Sequence, residues 1–209
     1  MVECLLFDCD GTLVDSEHLC NQGLVEAFTE YGVTLATIAM VKEFRGWKLS
    51  RILDTLQSRH NVTLAENFVP QYRDRVSALF EAELKPIEDI KYALSNLPQA
   101  KAVVSNGPPA KIAQSLRLCG LADFFGSNIV SAYDVNLFKP DPEIYKYAAR
   151  SMGFDCAQCA VIDDGIVGIE AGVKAGMKTF FYNVLDENCA VPGAISFNTM
   201  RDLPSIVSQ

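Results

Sequence analysis

The sequence predicts an α/β protein: a doubly wound parallel sheet with a helical segment inserted after its first strand. Three observations predict it. Short runs that are apolar on both faces recur along the chain, as strands covered by helices on both sides require. Helical periodicity fills the intervals between them, and this alternation is how parallel sheets are wound. One long stretch, residues 15–84, shows helical periodicity without a convincing strand and interrupts the alternation just after the first strand.

The strand runs are residues 2–7, 102–105, 160–162 and 179–182, with a fifth at 129–130 and a weaker edge strand at 194–197. Residues 141–152 place Ile144, Tyr145, Ala148, Ala149 and Met152 on one stripe, with Pro142 suited to a first turn. Residues 87–97 and 110–118 read as helices too, the second stopped by Gly120. The Ala- and Gly-rich run 168–176 suits a helix packed closely on the sheet. In the inserted stretch the periodic apolar residues are Leu24, Phe28 and Tyr31, then Ile52, Leu53 and Leu56, then Tyr72, Val76, Leu79 and Phe80. Pro86 marks the return to the sheet. The expected division is a core of residues 1–14 and 86–209 and a helical insertion of residues 15–85.

A chain of 209 residues, 49% hydrophobic and 21% charged, is a globular chain with a full core. Its net charge of −8 argues against nucleic acid and anionic membranes as partners, since both reward clustered Lys and Arg. The apolar runs have strand length, so no membrane span is expected. Met1-Val2-Glu3 has no basic n-region, and the apolar run 4–7 stops at Asp8, so no signal peptide is read and the cytoplasm is the expected location. Seven scattered cysteines point to reduced, mostly buried thiols. Cys156 and Cys159 have C-x-x-C spacing, but no second Cys or His pair stands at zinc-finger distance and the motif runs into a strand.

The chemistry gathers where strands end, which in a parallel sheet is the ligand crevice. The first strand delivers Asp8 and Asp10, two carboxylates that repel unless a cation or shared proton relieves them. Strand alternation puts both on one side, although Gly11 bends the chain there; alone, Asp10-Gly11 reads equally well as a turn. The run 102–105 ends in Ser105-Asn106-Gly107, a hydroxyl and backbone N–H groups suited to phosphate. The run 160–162 ends in Asp163-Asp164, and Lys139 stands in a Pro-flanked loop. Oxygen ligands without His or thiolate suit Mg²⁺. A carboxylate nucleophile, a hard cation and a Lys supply what phosphoryl transfer needs.

These four motifs, in this order, resemble the haloacid dehalogenase superfamily. Further matches are Asp15-Ser16-Glu17 and the run 171–177. The resemblance covers nearly the whole chain and implies a Rossmann-like core. The insertion looks like the helical cap of the β-phosphoglucomutase and phosphoglycolate phosphatase branch. By resemblance, Asp8 would be the nucleophile and Asp10 the acid and then the base. Ser105, the Asn106 backbone and Lys139 would hold the phosphoryl oxygens. Asp8, the Asp10 carbonyl and Asp164 would bind Mg²⁺, with Asp163 ligating directly or through water. Gly165 departs from the Ser often found there. Asp10 disfavours the dehalogenases and the phosphonate-cleaving relatives, which lack that acid.

The resemblance implies phosphatase action on a small phosphorylated metabolite, with a phosphosugar mutase as the alternative. Mutases of the branch carry a His that fits position 20, which here is Cys20; His18 lies roughly 200° around a helix from it. The segment 44–49 looks similar to bacterial 6-phosphogluconate phosphatases. Gly46 and Lys48 are expected to help bind the substrate, while Trp47 reads nearly as well as a packing residue. A sugar or sugar-acid phosphate, 6-phosphogluconate included, is the expected substrate. A cap of this kind opens and closes, with hinges expected at 13–16 and 84–87, and a monomer is expected.

Overall fold

The computed structural model describes residues 1–44, 47–184 and 191–209. The chain opens with β1 (Cys4–Phe7) and continues through four helices, α1 (Glu17–Thr29), α2 (Thr37–Phe44), α3 (Leu49–His60) and α4 (Phe68–Glu83). Then follow α5 (Ile90–Ser95), β2 (Ala100–Ser105), α6 (Pro109–Cys119), α7 (Ala122–Phe125), β3 (Ile129–Ser131), α8 (Ala132–Val135) and α9 (Glu143–Ser151). A short 3₁₀ turn leads into β4 (Cys159–Asp163), then α10 (Ile166–Lys174), β5 (Lys178–Tyr182), β6 (Ala194–Phe197) and α11 (Leu203–Val207). Two compact units result: Met1–Asp15 with Lys85–Gln209, and Ser16–Leu84.

The first unit holds a six-stranded parallel sheet in the order β3-β2-β1-β4-β5-β6. The order reverses between β1 and β4, which makes their carboxyl ends the crevice of a doubly wound sheet. Every residue of β1 and β4 is buried, because helices cover both faces. On one face Leu6, Val104 and Val161 pack with Ile144, Tyr145, Ala148 and Ala149 of α9 and Ala171 of α10. Burying each large side chain of this layer is worth about 1.5–3 kcal/mol against exposure. Of the α9 stripe, four residues are buried and Met152 is partly so.

Some boundaries differ from the expected ones for local reasons. The helix expected at 87–97 is only Ile90–Ser95, because Asp89 takes a left-handed conformation at φ 57°. Asp141 accepts the Glu143 N–H at 3.0 Å, so α9 begins at Glu143 instead of 141. Gly120 stops α6 at φ 62°, as expected. Cys4 and Cys159 face each other in register on β1 and β4, and the six described cysteines are free thiols.

The regular elements of the second unit, among its described residues, are all helices. Phe28 of α1 and Phe68 of α4 meet edge to face with centroids 5.4 Å apart, and Leu24, Tyr72, Val76 and Phe80 are buried around them. Trp47 packs on Phe44 at 5.3 Å and lies under the Arg51 guanidinium at 3.8 Å, which accounts for it as a packing residue. Among the described residues, no helix is long and apolar enough to cross a membrane.

Candidate active site

The register of the sheet assembles the site. Phe7 of β1 pairs with Val103 of β2 on one side and Ile162 of β4 on the other. The next residues in each strand therefore emerge together at the crevice: Asp8, Ser105 one step further along β2, and Asp163. The Asp8 N–H donates to the Ile162 carbonyl at 2.9 Å, which fixes the nucleophile candidate at the mouth. Carboxylate oxygens of Asp8, Asp163 and Asp164 lie within 4.8 Å of one another.

Lys139 is buried, 7% exposed, and its ammonium bridges two of these carboxylates. It donates to Asp8 Oδ1 at 2.5 Å and to Asp163 Oδ2 at 2.7 Å. The Tyr145 hydroxyl donates to the same Asp163 oxygen at 2.8 Å, and the Gly165 N–H donates to Asp163 Oδ1 at 2.8 Å. Asp163 is thus the anchor of Lys139. Burial alone would lower the Lys139 pKa, but the Asp163 and Asp8 carboxylates outweigh it and push it well up, so the side chain stays an ammonium.

Asp8 behaves in the opposite sense for a carboxylate. Burial raises its pKa well above the ordinary range, and the Asp163, Asp164 and Asp10 charges add to that against the pull of Lys139. Three clustered carboxylates facing one ammonium form an all-oxygen donor set with excess negative charge. That donor set fits a hard divalent cation, which would restore Asp8 to its ionised form.

Two glycines are fixed by close approach. Gly11 sits at φ 82°, and a Cβ there would lie 2.2 Å from Asp164 Oδ2. A Cβ on Gly168 would lie 1.8 Å from Asp163 Oδ2, so the first turn of α10 can seat on Asp163 only without a side chain. Thr12 is fully buried and donates to Asp164 Oδ1 at 2.9 Å, holding that carboxylate from behind. At Gly165, a Cβ would stand 3.3 Å from Asp163 Oδ1, so a Ser here would crowd the anchor.

The other expected residues fall as follows. Ser105 is buried and its Oγ accepts the Gly107 N–H at 3.0 Å; Ser131 donates to the Gly107 carbonyl at 2.7 Å, clamping this loop to β3. The Asn106 carboxamide does not point its donors at the crevice. It accepts the Lys139 N–H at 2.9 Å and donates to the Lys139 carbonyl at 3.3 Å, so its side chain sets the loop that carries the Lys. Asp10 parts from Asp8: its side chain lies outside the three-carboxylate cluster and pairs with Lys111 Nζ at 2.7 Å. The chain has left strand geometry at that point, with a turn over 11–13 and Gly11 at positive φ, so alternation no longer governs. Lys48 is exposed at the start of α3 in the helical unit, and Gly46 lies outside the described residues. Tyr145, Ser131 and Lys111 were not singled out by motif. Tyr145 was legible only as one apolar position of the α9 stripe, and a lysine five residues after Asn106 carries no signal of its own.

Comparison with known proteins places this geometry among relatives. A sequence model of haloacid dehalogenase-like hydrolases matches residues 2–176. The chain is 36% identical over 208 residues to the 6-phosphogluconate phosphatase of Escherichia coli K12, covering 98% of this chain and 94% of that protein. A haloacid dehalogenase-like protein of unknown function from Agrobacterium tumefaciens has the same fold, with a TM-score of 0.84, 25% identity and coverage of 100% and 98%. A HAD family hydrolase from Deinococcus radiodurans, solved with bound phosphate and sodium, superposes with a TM-score of 0.79 at 26% identity, covering 99% and 95%.

Proposed function

The chain belongs to the haloacid dehalogenase-like hydrolases, and on that premise we propose that it is a Mg²⁺-dependent phosphatase of sugar or sugar-acid phosphates working through an aspartyl-phosphate on Asp8. Phosphatase activity itself accords with the family match and the named phosphatase relative. The observation that carries the mechanism is the bridge of Lys139 between Asp8 and Asp163 beside Asp164.

In the proposed reaction an Asp8 oxygen attacks phosphorus, and the bond from phosphorus to the metabolite's oxygen breaks. Asp10 gives that oxygen its proton. Asp10 then takes a proton from water, which attacks the phosphorus of aspartyl-phosphate and releases orthophosphate with Asp8 regenerated. Ser105 Oγ, the Asn106 N–H and the Lys139 ammonium would hold the phosphoryl oxygens, and the Asn106 carboxamide keeps Lys139 in place. Asp8, the Asp10 carbonyl and Asp164 would hold Mg²⁺. Both Asp163 oxygens already accept hydrogen bonds, which favours its acting through water. When bound, Mg²⁺ supplies neutralisation of the charge gathered by the carboxylates and the phosphoryl group.

For the substrate we propose 6-phosphogluconate first, on the near full-length similarity to a phosphatase of that name, with Gly46 and Lys48 as substrate-selecting residues. A cytoplasmic monomer with the segment Ser16–Leu84 as its cap belongs to the same proposal. The mutase reading is disfavoured, since position 20 is Cys. The test is phosphate release from a panel of phosphorylated sugars and sugar acids, with Mg²⁺ and with EDTA, beside Asp8→Asn. Release that needs Mg²⁺ and disappears in the variant is expected. Isomerised sugar phosphates without free phosphate would overturn the hydrolase reading.

A further inference from the structure

We propose that Lys111 is the positioning residue for Asp10, holding its carboxylate where it can serve the leaving oxygen. This rests on the acid role given to Asp10 above. Lys111 is the third residue of α6, and helical side chains lean toward the N-terminus of their helix. Its stem therefore runs back over the turn that follows Ser105, and its ammonium meets Asp10 Oδ1 at 2.7 Å. The other Asp10 oxygen stands over the same turn: a Cβ on Gly107 would lie 3.5 Å from Asp10 Oδ2. Asp10 is thus fixed between the first turn of α6 and the phosphate loop, beside the site but off the three-carboxylate cluster.

This geometry divides the two lysines of the crevice. Lys139 is sealed, with a side chain 3% exposed, and serves the nucleophile. Lys111, with a side chain 24% exposed, pairs with Asp10 and so serves the proposed proton donor. Asp10 stands just before the left-handed Gly11 and its side chain is a quarter exposed, so strand alternation does not set its rotamer and the Lys111 ion pair helps to select it. A misplacement of a catalytic group by about 1 Å can cost on the order of 100-fold in rate.

The test exploits the leaving group. An alkyl phosphate needs a proton on its departing oxygen, whereas p-nitrophenolate leaves without one. kcat/KM reports the step that forms aspartyl-phosphate, so it is compared for p-nitrophenyl phosphate and for the best sugar phosphate of the wild type, in Lys111→Met, Lys111→Arg and Asp10→Asn. Lys111→Met is expected to lose roughly 10- to 100-fold on the sugar phosphate and less than about threefold on the aryl ester. Lys111→Arg, which keeps the cation, is expected to stay within about threefold of wild type on both. Equal losses on the two esters, a loss confined to KM, or no loss would overturn the role of Lys111 while leaving Asp10 as the acid. If Asp10→Asn itself loses equally on both esters, the acid role falls and the proposal with it. Thermal unfolding of each variant separates these outcomes from misfolding, since a part-exposed pair contributes little to stability.

Discussion

Tyr145 and Asp163 are joined by a buried hydrogen bond of 2.8 Å that ends on the very oxygen receiving Lys139. Burial first, and then the Asp163 charge, push the Tyr145 pKa well up, so the phenol remains a donor. The largest side chain of the α9 stripe is therefore both core and support for the site. Tyr145→Phe keeps the packing and removes only this bond, at a cost of about 1 kcal/mol. We expect the thermal midpoint to fall by roughly 2–4 °C. The kcat for the best substrate should drop about tenfold, because Asp163, the anchor of Lys139, is held less firmly. Unchanged stability and turnover would show that the hydroxyl holds nothing in place.

Gly168→Ala should be damaging although it adds one methyl group. The new Cβ would stand 1.8 Å from Asp163 Oδ2 and 2.2 Å from its Cγ, and the carboxylate that would have to swing aside is held by Lys139, Tyr145 and the Gly165 N–H. A loss of about 1–3 kcal/mol in urea unfolding is expected, with activity reduced by at least about tenfold. A fully active variant would mean that α10 can slide along the sheet.

Thr12→Val tests the metal arrangement without touching a proposed ligand. The substitution is nearly isosteric and deletes the hydrogen bond to Asp164 Oδ1. The Mg²⁺ concentration for half-maximal activity should rise by about 10- to 100-fold, with kcat at saturating Mg²⁺ much less affected. An unaltered Mg²⁺ requirement would remove Asp164 from the metal-binding set or show that it needs no such support.

Asp8 carries a stability cost in the metal-free protein. Its folded pKa is raised by burial and by the neighbouring carboxylates. A raised value adds stability below the unfolded pKa, and that stability is lost as pH climbs through the folded one. At neutral pH without metal, Asp8→Asn is therefore expected to raise the thermal midpoint by roughly 2–4 °C, in the usual trade between activity and stability. The gain should shrink as pH falls toward the ordinary carboxylate range. Calorimetry of both proteins in EDTA at neutral and mildly acidic pH decides it; a lower midpoint in the variant would reverse the sign of the argument.

The sheet was legible because covered parallel strands are apolar on both faces, and β1, β2, β4 and β5 all show that run. The chief site residues were legible because each sits at a strand end or in a Pro-flanked loop with a distinctive neighbour. What escaped depends on three-dimensional placement. Tyr145 reads as an apolar stripe residue until its hydroxyl is seen on Asp163. Lys111 reads as any helix lysine until the loop before α6 brings it to Asp10. Asn106 reads as a backbone N–H for phosphate, and nothing in the sequence shows that its side chain holds the Lys139 backbone. Asp89 shortened a helix because its left-handed φ is not written in the residues around it.

The pairing of β1 with β4 has a consequence for the timing of synthesis. Cys4 sits in register with Cys159, so the strand that carries the proposed nucleophile emerges from the ribosome some 150 residues before its partner. Closing such a distant pair is entropically slow compared with local helix formation. Until Asp163 and Asp164 are made, Asp8 has neither its carboxylate neighbours nor an anchored Lys139, and the apolar β1 has one sheet edge open. The proposed site is therefore incomplete through most of elongation, and the chain exposes a sticky edge that a chaperone would have reason to cover.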